Sequence, residues 1–203
     1  MTHTPQDTLT GDYVLDVNHS RLGFVARHAM VTKVHGQFDH FEGKGHLDLT
    51  DSSKSFAEVT IEAASINTGI EQRDAHLRSS DFLDVAKHPR IYFRSSLIVP
   101  VNGSDLRVIG DLMMRRVTRS VAIEFTYTGA TTDPSGASRI IFNGSGTINR
   151  RDWGVSWNAL VEAGGVLVSE MVTLEIEICA LRPSPLHRSE LTPPIGERGG
   201  EEA

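Results

Sequence analysis

Cysteine is almost absent from this chain. Cys179 is the single cysteine among 203 residues, so the protein can form no internal disulfide and no zinc site built from several cysteines. A domain of this length buries about 70% of the surface that its unfolded chain exposes. We therefore expect one fold that depends on hydrophobic packing, in a reducing compartment.

An excess of positive charge is also missing. The chain has 20 lysine and arginine residues against 26 aspartate and glutamate residues, a formal net charge of −6. Nucleic-acid-binding proteins need a basic surface to neutralise phosphates, so this balance argues against a nucleic-acid partner. It disfavours binding to anionic membrane surfaces for the same reason.

Long apolar segments are lacking as well. No stretch of about 18 consecutive apolar residues occurs, so we predict no stable membrane insertion. Residues 1–7 contain no basic segment followed by an apolar one, and thus no secretory signal. These two observations predict a cytoplasmic protein.

The composition divides the chain into three parts. Residues 183–203 contain four prolines and three glycines with little apolar periodicity, which predicts a disordered tail. Residues 1–10 are similar and predict a short flexible N-terminus. The remaining residues, 11–182, are expected to form one folded domain.

Apolar and polar residues alternate through most of this domain, as they do in half-buried β-strands. In the clearest segment one face carries Val172, Leu174, Ile176 and Ile178, and the other carries Thr173, Glu175, Glu177 and Cys179. Similar alternation covers 56–63, 106–115 and 121–128, with turn-forming residues at 50–53, 102–104 and 133–136. This order indicates consecutive antiparallel hairpins.

Residues 69–80 alone carry a helical pattern, with Asp74 and Arg78 placed to pair one turn apart. About eight strands and one short helix predict an all-β fold, either a closed barrel or a sandwich. Gly110, Gly144 and Gly146 lie inside strand segments. Because a sheet that curls into a barrel uses glycine kinks and bulges, these glycines favour the barrel.

The interior of an eight-stranded barrel is either filled by side chains or open to one small ligand. Alternation does not choose between these, so a purely structural or interaction module with a packed barrel stays open. The inward-facing residues are almost all aliphatic or aromatic, with His28 and Asn143 as polar exceptions. Any ligand would be apolar and elongated.

Short motifs occur in a fixed order along the chain. They include YVLDVNHSRLGFVARH at 13–28 and TINRRDWG at 147–154, with further pieces at 34–43, 67–68, 74–84, 88–89, 93–95, 110–112, 117–121 and 142–144. In their order and spacing they resemble the YceI-like proteins, a bacterial family of lipocalin-like barrels. The resemblance covers about 12–181.

The resemblance implies an antiparallel eight-stranded barrel over 11–182 with a long hydrophobic interior and one short crossing helix. It implies non-enzymatic binding, transport or storage of a polyisoprenoid, such as an isoprenoid quinone or prenyl pyrophosphate, or of another long-chain lipid, with no cofactor. Members of the family are often dimeric, so a homodimer is expected. They are also often periplasmic, and the absence of a signal here departs from that pattern.

Alternation and the resemblance together select the expected ligand-binding residues. These are Phe24, Phe38, Ile61, Phe93, Leu112, Ile123, Phe142, Val172, Leu174 and Ile176, with His28 as a polar group in or near the cavity. A register error of one residue would assign every side chain of a strand to the opposite face of the sheet.

The alternative function is a metal-dependent or acid–base enzyme that acts on a small apolar substrate at the barrel mouth. His28, His76 and His88 are the first candidates for metal ligands, although the nine histidines form no ligand motif. The binding protein is therefore the favoured interpretation, and no metal is predicted.

Acid–base chemistry needs titratable groups that converge. Asp74, His76, Asp81 and Asp84 lie in one short stretch. We favour a structural interpretation of them, in which Asp74 pairs with Arg78.

Two basic clusters stand out, Arg115, Arg116 and Arg119 in one segment and the pair at 150–151 in another. They would either hold an anionic head group or be solvated turn residues, and the second interpretation is favoured. Cys179 falls at an outward position of the last strand, which indicates an incidental thiol.

Overall fold

A computed structural model describes residues 9–28, 32–48, 50–132, 138–159 and 168–182. The predicted tail at 183–203 and residues 1–8 of the predicted flexible N-terminus lie outside the described residues. Among the described residues no helix is both long and apolar enough to cross a bilayer.

The described chain is mostly β-structure. Its strands are β1 (Gly11–Leu15), β2 (Arg21–His28), β3 (Thr32–Phe38), β4 (Phe41–Leu47), β5 (Phe56–Glu62), β6 (Ile66–Asn67), β7 (Arg90–Asn102), β8 (Asp105–Met114), β9 (Val117–Thr132), β10 (Ser138–Asn149) and β11 (Met171–Leu181). One α-helix, α1 (Glu71–Arg78), and three short 3₁₀ helices, Ser52–Lys54, Ala63–Ser65 and Arg150–Trp153, complete the described elements.

All strand pairs are antiparallel, and the sheet closes on itself because β1 pairs with both β4 and β11. Three barrel strands are interrupted: β1 continues into β2, β3 into β4, and β5 into β6. Counting each interrupted pair once gives eight strands in up-and-down order. The predicted eight-stranded antiparallel barrel with one short helix is confirmed.

The alternation of the sequence sets the two faces of the barrel wall, as predicted. Along β11 the side chains of Val172, Leu174, Ile176 and Ile178 face the interior. The β11 register against β10 runs without a break from Asn149–Met171 to Arg139–Leu181. A bulge between Ile141 and Phe142 shifts the register of β10 against β9.

The helix is shorter than predicted, since α1 covers Glu71–Arg78 rather than 69–80. Gly69 lies two residues before it with φ +79°, in the left-handed region that favours glycine, and is followed by the extended N-cap residue Ile70. The predicted Asp74–Arg78 pair is wrong. Asp74 is buried and accepts hydrogen bonds from the amide and hydroxyl of Thr68, while Arg78 pairs with Glu71 at 3.1 Å. Asp74 therefore fixes the entry loop of the helix.

Both ends of the barrel are packed. The helix end carries α1, the β8–β9 turn and the 3₁₀ helix Arg150–Trp153, and its buried core consists of Ala63, Ile66, Phe82, Leu83, Ile91, Met114, Val121, Trp153 and Val155. The hairpin end carries the β7–β8 turn, and its buried core consists of Leu9, Tyr13, Leu47, Ile98, Val108, Ile140, Phe142 and Ala180. Between these two cores lies the site described next.

Candidate binding lumen

A cavity of about 370 Å³ lies inside the barrel between the two end cores. Its surface is formed almost entirely by carbon atoms of aliphatic and aromatic side chains. Since water in such a space would find too few hydrogen-bond partners, the cavity favours an apolar occupant. We call this cavity the lumen.

The lumen is lined by ten of the eleven residues that the sequence selected. They are Phe24, Phe38, Ile61, Phe93, Leu112, Ile123, Phe142, Val172, Leu174 and Ile176. They come from β2, β3, β5 and β7–β11, so residues distant in sequence meet around one space because the sheet closes.

His28 does not line the lumen. It is exposed at the last position of β2, where its backbone pairs with Thr32 and forms a bridge to Val168. Its sequence parity is that of Phe24 and Ala26, which do line the lumen. The expectation that His28 supplies a polar group at the lumen is therefore corrected, because the charged or titratable side chains among the lining residues include Lys44, His46, Glu58 and Arg150 but not His28.

Other lining residues were not selected from the sequence. Leu15, Val59, Val108, Phe125 and Ile178 are inward positions of alternating strands, and alternation could have found them. A second group comes from segments outside the named strands, where strand alternation cannot reveal them: Leu77, Phe82, Leu83, Val155 and Val168.

Three phenylalanine rings of the lumen wall lie over glycines. Phe24 pairs with Gly36 across β2 and β3, and Phe125 pairs with Gly144 across β9 and β10. The ring of Phe93 also covers Gly110 of β8, but diagonally, because the cross-strand partner of Gly110 is Ser95. All three phenylalanines line the lumen and none of the three glycines does. The rings therefore occupy the place of the missing side chains.

Arg150 is the buried cation at the helix end, and its side chain also borders the lumen. Nε donates to the Ser169 carbonyl at 2.9 Å, and Nη1 donates to the Val155 carbonyl at 2.6 Å. Burial lowers the pKa of the guanidinium from its ordinary value. Its polar atoms are thus engaged with backbone, and Arg150 ties the chain after β10 to the start of β11.

Three other arginines of the two basic clusters lie in turns or on the surface. Arg115 and Arg116 form the tight β8–β9 turn with positive φ values of 51° and 62°, and Arg115 donates to the Gly154 carbonyl at 2.6 Å. Arg151 pairs with Glu170 at 2.6 Å. These contacts agree with turn and surface roles.

The histidine and the acidic residues of α1 and of the segment after it do not line the lumen. His76 Nε2 lies 2.9 Å from a carboxylate oxygen of Asp81. Its ring packs edge-on against Trp157 and Phe82, with ring centroids 4.6 and 5.0 Å away. Phe82 lines the lumen whereas His76 does not. Within the described ranges no three His, Cys, Asp or Glu side chains are grouped to hold a metal ion.

Cys179 points outward, as predicted, but it is buried rather than exposed. The segment between β1 and β2 crosses it: the Asp16 amide donates to the Cys179 carbonyl at 2.8 Å, and the Cys179 amide donates to the Ser20 hydroxyl at 2.9 Å. Burial raises the pKa of the thiol, and the nearby Asp16 carboxylate adds to this. The thiol is therefore poorly nucleophilic at neutral pH.

Comparisons with known proteins agree with this architecture. The YceI-like domain matches residues 13–180. The chain belongs to the YceI-like family. It is similar to two Staphylococcus aureus proteins, UPF0312 protein SAS2572 of strain MSSA476 and UPF0312 protein MW2606 of strain MW2, each 34% identical over 165 residues that span 81% of this chain and 94% of the relative.

Solved structures share the fold of this YceI-like protein. Burkholderia cenocepacia BcnA aligns with a TM-score of 0.71 at 21% identity, over 81% of this chain and 98% of that one. A Campylobacter jejuni YceI protein aligns at 0.66 and 24% identity, over 78% and 90%. A polyisoprenoid binding domain from Saccharophagus degradans, implicated in plant cell wall breakdown, aligns at 0.61 and 19% identity, over 84% and 98%.

Proposed function

We propose that this YceI-like protein binds a polyisoprenoid or a similar long apolar lipid in its lumen, and transports or stores it without chemical change. The observation that carries the proposal is the lumen itself, an unfilled apolar cavity of about 370 Å³ between two packed ends. The ten sequence-selected lining residues are proposed to contact the chain. The polyisoprenoid-binding domain among the structural relatives supports this ligand class.

The energetics suit a carrier. Moving a chain from water into the lumen yields about 0.8 kcal/mol per CH₂ group, so one five-carbon isoprene unit gains about 3 to 4 kcal/mol before ordering costs. A membrane shelters the same chain almost equally well. The net preference between membrane and lumen is therefore small, which allows the lipid to be loaded and released.

The volume indicates how much chain the lumen holds. An engineered cavity of about 150 Å³ accommodates benzene with its six carbons, so a cavity 2.5 times larger holds about 15 carbon atoms. This corresponds to about three isoprene units. Longer chains are expected to extend beyond the lumen.

The alternative function, an enzyme that acts at the barrel mouth, has weaker support. The His76–Asp81 pair lies outside the lumen lining, and the Arg150 guanidinium is occupied by backbone carbonyls. We therefore propose no catalytic residue, cofactor or metal. The expected homodimer and cytoplasmic location stay predictions, which light scattering and cell fractionation test.

Native mass spectrometry of the freshly purified protein, followed by solvent extraction, tests the proposal. The expected result is a bound species of prenyl or similar long-chain mass that is released by solvent. A Leu174→Trp variant fills the lumen and should lose that species, whereas Thr173→Trp, on the outward face of the same strand, should keep it. Protein that is empty on purification and gains no thermal stability from added prenyl lipids contradicts the proposal.

A further inference from the structure

The phenylalanine–glycine pairs control the width of the lumen. A Cβ atom added to Gly36 would lie less than 3.0 Å from the Phe24 ring, and one added to Gly144 would lie less than 3.0 Å from the Phe125 ring. Real Cβ atoms essentially never come this close to another heavy atom. Each ring can lie against the wall only because the residue beneath it has no side chain.

The same rings would otherwise stand in the lumen. Phe24 and Phe125 are only half-buried although they point inward, because the ring faces turned away from the glycines border the lumen. If residue 36 or 144 carried a side chain, its neighbouring ring would have to turn toward the barrel axis. Two bulky aromatic groups would then narrow the space that a ligand chain can use.

We infer that the pairs Phe24–Gly36 and Phe125–Gly144 are specificity determinants that widen the lumen for methyl-branched chains. This inference rests on the proposed function and names the ligand class more closely. A polyisoprenoid carries a methyl group on every fourth carbon of its backbone and needs a wider channel than a straight acyl chain. Glycine at 36 and 144 supplies that width.

The ring of Phe93 likewise lies over a glycine, Gly110, but a substitution at Gly110 gives a less selective test. A Cβ atom at Gly110 would also collide with the backbone carbonyl of Arg94. A substitution there would disturb the β7–β8 pairing as well as the ring. Gly144 is the better position, because the three atoms nearest to its added Cβ all belong to the Phe125 ring.

The test compares phytanic acid with palmitic acid, which share a 16-carbon backbone and differ in four methyl branches. The wild-type protein should bind both and favour phytanic acid. Gly144→Ala should weaken phytanic acid binding about tenfold or more, the scale on which a pocket discriminates small alkyl groups. Its affinity for palmitic acid should change much less.

Two controls separate lumen width from folding. Ser145→Ala alters the exposed, outward neighbour on the same strand and should leave both affinities unchanged. The double variant Gly144→Ala with Phe125→Leu removes the displaced ring and should restore phytanic acid binding. Phe125→Leu alone should raise the ratio of phytanic to palmitic affinity. This variant replaces Gly144→Ala as the test if Gly144→Ala does not fold.

The outcomes distinguish a failure of the proposed function from a failure of the inference about lumen width. If the wild-type protein binds neither acid, the proposed function fails. If it binds both, but folded Gly144→Ala leaves their affinity ratio unchanged, the proposed function stands and this inference is overturned. An unchanged ratio in Phe125→Leu, should Gly144→Ala be unfolded, overturns it equally.

Discussion

The ends of the barrel and its middle are built from the same kinds of residue but are packed differently. At the ends, inward side chains such as Ile91 of the helix-end core and Ile140 of the hairpin-end core are each 5% exposed and pack within their own clusters. In the middle, inward side chains such as Leu174 and Phe24 are only half-buried because they face the empty lumen. The ends supply stability, and the middle is left free to bind.

The largest expected effect is at the helix end. Trp153 is 2% exposed and donates from its indole nitrogen to the Leu112 carbonyl at 2.9 Å. Trp153→Ala should lower the free energy of unfolding by about 3 to 5 kcal/mol, as expected for the loss of a buried tryptophan. Urea unfolding measures this. Trp157 is a half-buried tryptophan at the same end, and Trp157→Ala should lower the free energy of unfolding clearly less. An equal loss would contradict the conclusion that Trp153 contributes more than Trp157 to the stability of this end.

The contrast between ends and middle sharpens in a matched pair of alanine substitutions. Ile140→Ala at the hairpin end should cost about 2 to 5 kcal/mol, because Ile140, although it borders the lumen, is 5% exposed and packs within the hairpin-end core. Leu174→Ala should cost about 1 kcal/mol, because much of that side chain already borders empty space. The same denaturation experiment applies to both variants. Equal losses would mean that the lumen is packed in solution.

The sequence predicted the wall of the barrel but not whether its interior is empty. Alternation along β11 placed Val172 to Ile178 correctly, because a strand with one wet face has a period that sequence shows. From sequence alone Gly110 and Gly144 indicate curvature, and the structure shows in addition that each lies beneath a phenylalanine ring. Gly36 lies in the family motif at 34–43, but the local sequence does not indicate that the ring of Phe24 covers it.

The remaining differences come from tertiary contacts. His28 keeps the inward parity of its strand, but the strand has left the lumen there. Arg78 pairs with Glu71 rather than Asp74, since Asp74 is held by Thr68. Cys179 is outward and nonetheless buried, because a segment distant in sequence crosses it. No local periodicity reports such contacts.

Next in size is an electrostatic contact outside the lumen, on the hairpin half. Asp16 is 7% exposed, and burial alone would raise its pKa, but hydrogen bonds from Arg139 at 3.1 Å and from His19 at 3.0 Å more than offset this. The pKa of Asp16 is therefore below its ordinary value near 3.8. A carboxylate with a lowered pKa stabilises the fold above that ordinary value and loses its contribution as the pH falls.

Asp16→Asn should therefore lower the free energy of unfolding at pH 7 by about 1.5 to 3 kcal/mol, the range for hydrogen bonds to a charged group. The difference from wild type should shrink as the pH falls from about 5 to 2. Urea unfolding across that pH range checks both statements. A difference that stays constant with pH would show that Asp16 acts through shape alone.

The smallest effect concerns Cys179 on the outer face. Because burial raises the pKa of its thiol and the crossing segment covers it, a disulfide reagent should label the native protein slowly at pH 7.5. Labelling should become fast in denaturant. Leu174→Ala, which alters only the lumen, should leave the native rate unchanged, and rapid native labelling would show that the segment between β1 and β2 opens readily.

We propose that a bound hydrocarbon chain lies in the lumen between the two packed ends. Nuclear Overhauser contacts between the methyl groups of bound phytanic acid and protein side chains test it most directly. We expect contacts to the rings of Phe24, Phe93 and Phe125. Contacts only to exposed apolar residues of the outer wall, such as Leu97 and Val101, would contradict it.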